Sequence, residues 1–455
     1  MSEAYILDAV RTPRGVGKVG KGALAHLHPS YLGSTVLKAL AERNHLDTSE
    51  IDDVIWGTSS QTGKQSCDLG RMAALNAGYD VKASGVTLDR FCGSGVTAVN
   101  LAAGQIRAGF EDLVVAGGTE MMSFTATAGL QPVLDADNRE LRKLHPQSQQ
   151  GVCADAIATL EGITRDDVDA LAVESQNRAE KALKERRFDR SLIVVRNPDG
   201  SVALDHEEFP RPGTTRETLA GLKPAFERIR DIVADAETGE TYGQLIQRRY
   251  PQIKAFNHIH HAGNSSGVVD GAAALLLASA SYVERNGVKP RGRVVAAANA
   301  GDDQTLMLNA PVPAARKVLA RAGLRVEDID LFEINEAFAV VAEKFIRDLR
   351  LDRDKVNVNG GAIALGHPIG YQKAFEIVAG MKRVSACAAL EAGLVNQVVP
   401  ATELRASAWE RARKLAVGAP LSLKYSKKIL RAAQTASRED IVRLESDFQF
   451  VCCAS

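Results

Sequence analysis

The sequence predicts an α/β fold, a parallel sheet covered by helices, whose second half echoes the first. Three observations carry this. Short β-branched runs alternate with longer helical patterns over the first 120 residues. A charge-rich stretch with little strand signal interrupts them, after which apolar strand patterns resume. A helix-to-strand connector of one pattern recurs in both halves.

The strand-like runs of the first part are Tyr5–Val10, Asp53–Trp56, Gly85–Leu88 and Leu113–Ala116. Helical stretches such as Ser30–Glu42 and Val96–Arg107 separate them, as βαβ units require. From about Met121 to residue 250 the chain reads as an inserted domain, with helices at Arg165–Glu185 and near Tyr242–Arg249. Pro210, Pro212 and Gly213 break it between these helices. Strand patterns return at Ala272–Ala278, Arg293–Ala297, Leu331–Ile334 and Val356–Val358. The echo pairs Leu46–Val54 with Leu324–Leu331, and a third copy, Ile163–Leu171, sits in the insert. Duplication and a recurrent connector both explain it. After Gly370 the alternation stops. A helical stretch, Gln372–Met381, a short apolar run, Leu394–Val399, and further helical segments succeed it.

Composition bounds the function. The 455 residues suffice for two to four domains. Equal numbers of basic and acidic residues, 56 of each, leave no electrostatic footprint for nucleic acid. No apolar run spans a bilayer, and the chain enters a core strand almost at once, so a cytoplasmic location is expected. Six scattered cysteines do not form a disulfide framework.

One of them stands at a chemically suggestive place. Arg90-Phe91-Cys92-Gly93-Ser94-Gly95 joins a strand ending near Leu88 to a helix starting near Val96. Val96, Val99, Ala103 and Ile106 give that helix an apolar face. A cysteine at the positive end of a helix is expected to have a lowered pKa and to offer a thiolate. A small buried cysteine beside a glycine turn is the competing reading. In the second half, Asn357–Gly370 forms another strand-to-loop junction that carries His367. If the halves correspond, His367 stands where Cys92 stands and can take a thiol proton; a structural histidine in a glycine loop is the plain reading. Asn335, in Glu333–Phe338, is either an amide aimed at a developing oxyanion or the N-cap of the next helix. Asn257–Gly267 holds three histidines in four residues, His258, His260 and His261, without the companion ligands of a metal site. Its Asn264–Gly267 end offers hydroxyls and amides to a polar ligand. Cys67, Cys153, Cys387, Cys452 and Cys453 read as structural or incidental.

Taken together, these motifs resemble the thiolase family. Leu7–Pro13, the Cys92 loop, Gly117–Met122, Asn264–Gly267, Asn335–Phe338 and Asn359–Gly370 occur in that family's order across residues 1–370. The resemblance implies two similar βαβαβαββ halves in a five-layer arrangement, helices lying between two sheets. It implies an acetyl-CoA acetyltransferase or 3-ketoacyl-CoA thiolase of fatty acid metabolism, with coenzyme A thioesters as substrates and no cofactor or metal. Cys92 would take the acyl group, His367 would activate it, and Asn335 would position a water in an oxyanion hole. Ser266 would line the pantetheine channel, with Phe338 beside it. A homo-dimer or tetramer is implied.

The pattern then departs. The family's second catalytic cysteine lies in a Cys-X-Gly-Gly run, and none comes after His367. From Ile369-Gly370 onward the chain resembles the C-terminal part of a crotonase (enoyl-CoA hydratase) domain, most closely at Ala389–Pro400, with Ala419–Lys424 fitting the same pattern. The expected layout is a first half at 1–120 plus 251–280, a loop domain at 121–250, an incomplete second half at 281–370 and a mostly helical crotonase-like tail at 371–455. Two strands of the second sheet would be missing, so low stability is expected. The alternatives to a working acyltransferase are a catalytically impaired fusion and a crotonase-associated binding protein.

Overall fold

The alternating and apolar runs of the first part become strands of one mixed sheet. The structure, a computed structural model, describes residues 3–127, 138–366 and, near the end, 399–400, 402–403, 406–407, 409–410 and 413. His367, Ile369-Gly370, Gln372–Met381, Leu394–Val398 of the late apolar run, Cys387, Cys452 and Cys453 lie outside the described residues. By internal contacts the chain divides into two units, Met1–Met381 and Lys382–Ser455, and the elements below belong to the first.

The strands are β1 (Ala4–Arg11), β2 (Gly15–Val16), β3 (Asp53–Gly57), β4 (Val86–Leu88), β5 (Leu113–Met121), β6 (Val195–Arg196), β7 (Val202–Leu204), β8 (Val269–Ser279) and β9 (Gly292–Arg293). The main sheet runs β4-β3-β5-β8-β1-β9, with β2 on β8, while β6 and β7 pair separately. β3 is parallel to both β4 and β5, as the βαβ reading requires. β8 is antiparallel to β5 and β1, with Met121 opposite Asp270. β5 and β8 are buried along their whole length, which accounts for the apolar runs Leu113–Ala116 and Ala272–Ala278, while Thr119, Glu120 and Asp270 are polar side chains buried at the adjoining ends.

The principal helices are α1 (Pro29–Asn44), α2 (Leu69–Asn76), α3 (Ser94–Ala108), α4 (Gln150–Glu161), α5 (Arg165–Lys184), α6 (Tyr242–Arg249), α7 (Pro311–Ala322) and α8 (Ala339–Leu349). Pro29 opens α1, and the Thr164/Asp167 capping box opens α5. α1 and α2 cover one sheet face with Trp56 and Leu276; α3 covers the other with Val114, Leu275 and Leu277. The apolar face of α3 is Ala98, Val99, Ala102, Ala103 and Ile106, whereas Val96 is exposed, a shift from the expected stripe. A third core joins α4 and α5 to α8 and to Leu306, Ile334, Val356 and Ile363. No helix among the described residues is long and apolar enough to cross a membrane.

The second half departs from the expected strands. Arg293–Ala297 reduces to β9, and Leu331–Ile334 and Val356–Val358 reduce to one parallel bridge, Phe332 to Val356. A strand needs a partner for its backbone groups. Here the side chain of Asn357 substitutes for one, bonding both the N–H and the C=O of Ile334 at 2.8 and 3.0 Å. The two echoed connectors fold alike, as 3-10 turns at Thr48–Glu50 and Val326–Asp328. The third copy instead caps α5.

One buried ion cluster ties β1 to the segment after β7. Glu207 lies 2.5 Å from Arg11 and 2.6 Å from Arg14, all three side chains being almost wholly buried. Burial works against the Glu207 charge, but the two guanidinium groups outweigh it and hold the carboxyl at about 2. Glu207→Gln should cost about 3–5 kcal/mol in urea unfolding, because two guanidinium groups lose their counter-charge. The wild-type contribution is full above the unfolded glutamate pKa of about 4.3 and is lost as pH falls toward the folded value. An unfolding free energy unchanged by the substitution contradicts this.

Candidate active site

The parallel strands β4, β3 and β5 all finish at one end of the sheet, at Leu88, Gly57 and Met121. Loops at that end are where an open α/β sheet gathers its chemistry. Asp89–Gly93 leads from β4 into α3, with Gly93 at the N-cap position. Cys92 is therefore held at the helix N-terminus and is half-buried. Phe91 before it takes φ 49°, a left-handed conformation unfavourable for a bulky residue. Its N–H donates to the Asp89 carboxylate at 2.6 Å. Ser94 braces the turn: its hydroxyl accepts from Arg90 N at 2.8 Å and lies 2.6 Å from the Phe91 carbonyl and 3.2 Å from that of Thr58.

The expectation of a lowered Cys92 pKa is corrected by this setting. Desolvation around the sulfur comes first, Glu120 adds to it, and together they push the thiol up to about 11. A backbone hydrogen bond at Cys92 works the other way and does not offset them. Glu120 carries no signal of its own in the sequence, although it lies in the Gly117–Met122 motif. It shares the sheet face of Val114 and Ala116, the face covered by α3. Its carboxylate accepts from Thr58 Oγ1 at 3.1 Å, Ser59 N at 2.7 Å and Gln65 Nε2 at 2.9 Å.

The second-half loops come to the same end. Ser266 N donates to the Ala337 carbonyl and Gly267 N to the Ala362 carbonyl, both at 3.0 Å. Ala339 N donates to the Asn264 carbonyl at 3.0 Å. These bonds bring together Asn264–Gly267, Asn335–Phe338 and the segment that leads to His367. Gly366 ends that segment with φ 82°, and a Cβ there would lie 2.4 Å from a Val269 methyl. Val269 starts β8 and alternates onto the face of Leu275 and Leu277, which α3 covers. The chain thus approaches His367 on the Cys92 face of the sheet; His367 itself lies outside the described residues.

Asn335 is half-buried in the loop before α8, whose N-cap position belongs to Phe338. Its reading as a helix cap is overturned. Phe338 is buried, edge-on to Phe226 at 5.6 Å and to His260 at 5.5 Å. Ser266 is half-buried near it in the same seam. The three histidines face carboxylates. His258 and His260 donate from Nδ1 to Asp155 at 2.7 Å each, and His261 lies 2.9 Å from Asp169. Burial opposes the Asp155 charge, yet these hydrogen bonds hold its carboxyl below the usual range. Cys153 is buried with its thiol pushed up to about 12 by desolvation, and Cys67 is exposed.

Comparison with known proteins gives three family matches. Residues 4–236 match the model for the thiolase N-terminal domain, and 288–393 that for the thiolase C-terminal domain. Residues 356–451 match the model for enoyl-CoA hydratase/isomerase, overlapping the second match. A 3-oxoadipyl-CoA/3-oxo-5,6-dehydrosuberyl-CoA thiolase of Escherichia coli is 39% identical over 392 residues, spanning 81% of this chain and 90% of its own. A 3-ketoacyl-CoA thiolase of Shewanella frigidimarina is 37% identical, spanning 81% and 89%. The crystal structure of the Bacillus anthracis acetyl-CoA acetyltransferase superposes with a TM-score of 0.68 at 34% identity, covering 83% of this chain and 91% of that one.

The electrostatics of the cysteine can be tested directly. Glu120→Gln removes a charge that disfavours the thiolate, so the midpoint of the Cys92 alkylation rate against pH should fall. An unchanged or raised midpoint contradicts a carboxylate acting on the sulfur.

Proposed function

The chain belongs to the thiolase family, and from that premise we propose that it transfers acyl groups from coenzyme A through a thioester on Cys92. The observation that carries the reading is the approach of the His367 segment to the Cys92 face of the sheet, through Gly366 on Val269. A thiol whose own pKa is about 11 is scarcely ionised at neutral pH, so it needs a base. His367 takes the Cys92 proton as the sulfur attacks the thioester carbonyl. The carbon–sulfur bond to coenzyme A breaks, the departing thiolate recovers the proton from His367, and acyl-Cys92 remains. Asn335 orients a water toward the oxyanion that forms on the way. Ser266 lines the pantetheine channel, with Phe338 as the wall behind it.

The carbon–carbon step needs a further acid/base, and no Cys-X-Gly-Gly run comes after His367. This favours, as the second reading, a fusion that is impaired beyond the acylation half-reaction. The match to enoyl-CoA hydratase/isomerase over 356–451 supports a crotonase-like tail. The proposed layout is a first thiolase half at 1–120 plus 251–280, a loop domain at 121–250, an incomplete second half at 281–370 and the tail at 371–455. The protein is proposed to be cytoplasmic and to form a homo-dimer or tetramer. Among the described strands β4 lies at the sheet edge and carries exposed Val86, which supports self-association.

Mixing with acetyl-CoA should add one acetyl group to the peptide containing Cys92. Cys92→Ala should abolish the adduct, and His367→Ala should slow its formation by about 10²–10⁴-fold. An unmodified Cys92 peptide in the folded protein overturns the reading. Thiolysis of acetoacetyl-CoA that disappears in Cys92→Ala eliminates the impaired-fusion alternative.

A further inference from the structure

We propose that Glu336 is the positioning residue that fixes the segment delivering His367. This rests on the reading of His367 as the base for Cys92. Glu336 comes directly after Asn335 in the chain and is buried, 2% exposed. Its carboxylate collects three donors, one from α5 and two from the 357–363 loop. Ser175 Oγ of α5 donates to Oε2 at 2.8 Å, Ile363 N donates to the same oxygen at 3.0 Å, and Asn357 Nδ2 donates to Oε1 at 2.7 Å.

The surroundings are fitted to that carboxylate. A Cβ at Gly361 would lie 1.6 Å from its carbon, so only glycine lets the backbone pass. Gly361 N donates to Ser175 Oγ at 2.7 Å, and that hydroxyl directs its own proton to Glu336. Asn357 is fixed in turn, because its amide bonds both backbone groups of Ile334. One side chain thereby holds α5, the Asn335 loop and the 357–363 loop together. Ile363 stands four residues before His367 in the sequence. Gly366 then seats the chain on Val269.

Glu336→Gln is nearly isosteric, yet it places an NH₂ where an oxygen met a donor. Turning the Asn357 amide to compensate would break its two bonds to Ile334. The carboxamide therefore loses at least one anchor of the His367 segment. A base displaced from its thiol loses reactivity steeply, by about 10²-fold for a misplacement of about 1 Å.

The test is the rate of Cys92 alkylation by iodoacetamide against pH, on the full chain, with thermal melting alongside. It needs no carbon–carbon chemistry. Glu336→Gln should react about 10–100-fold more slowly near neutral pH, and its midpoint should move toward that of His367→Ala. Ser175→Ala should move the same way, by less. A Glu336→Gln profile superimposable on wild type overturns the inference, whatever the change in melting. Should that variant not fold, an unmoved Ser175→Ala profile overturns it. A wild-type profile identical to that of His367→Ala overturns the parent reading, and this inference with it.

Discussion

The site depends on a backbone seam between β8's leading loop and the second half of the chain. The bonds from Ser266 to Ala337 and from Gly267 to Ala362 are main-chain bonds, so they fix segments rather than single side chains. Buried backbone groups must find partners, which makes such a seam costly to open. It is continuous with β8, and β8 is hydrogen-bonded to β5. The position of the second-half loops is thus referred to the same sheet that positions Cys92.

Around this seam the interior is rich in carboxylates. Glu120, Asp155, Asp169, Glu207 and Glu336 are all buried. Each meets hydrogen-bond donors from different parts of the chain: Ser59 and Gln65, His258 and His260, His261 and Asn264, Arg14, and Ser175 and Asn357. A buried carboxylate without such partners would be strongly unfavourable. These groups therefore favour one arrangement of loops over others, which a catalytic constellation assembled from loops requires.

Much of the fold was legible because β1, β3, β5, α1 and α5 each carry a period or a capping pattern in their own residues. Cys92 at a strand-to-helix turn was legible for the same reason. The cysteine's pKa was not, since it depends on burial and on Glu120, which folding brings near the sulfur from β5. Nor was the reduction of Leu331–Ile334 and Val356–Val358 to one bridge, because a strand exists only with a neighbour. Glu336 and Asn357 were visible as letters in motifs, but their role lies in contacts made across the chain, such as that with Ser175, 161 residues from Glu336 in the sequence.

The most direct test is the distance from Cys92 Sγ to the nearer ring nitrogen of His367 in a crystal structure of the full chain. An imidazole that serves as the base for this thiol should lie about 3–4 Å away, on the face of the sheet covered by α3. An imidazole held on the opposite face would contradict that role.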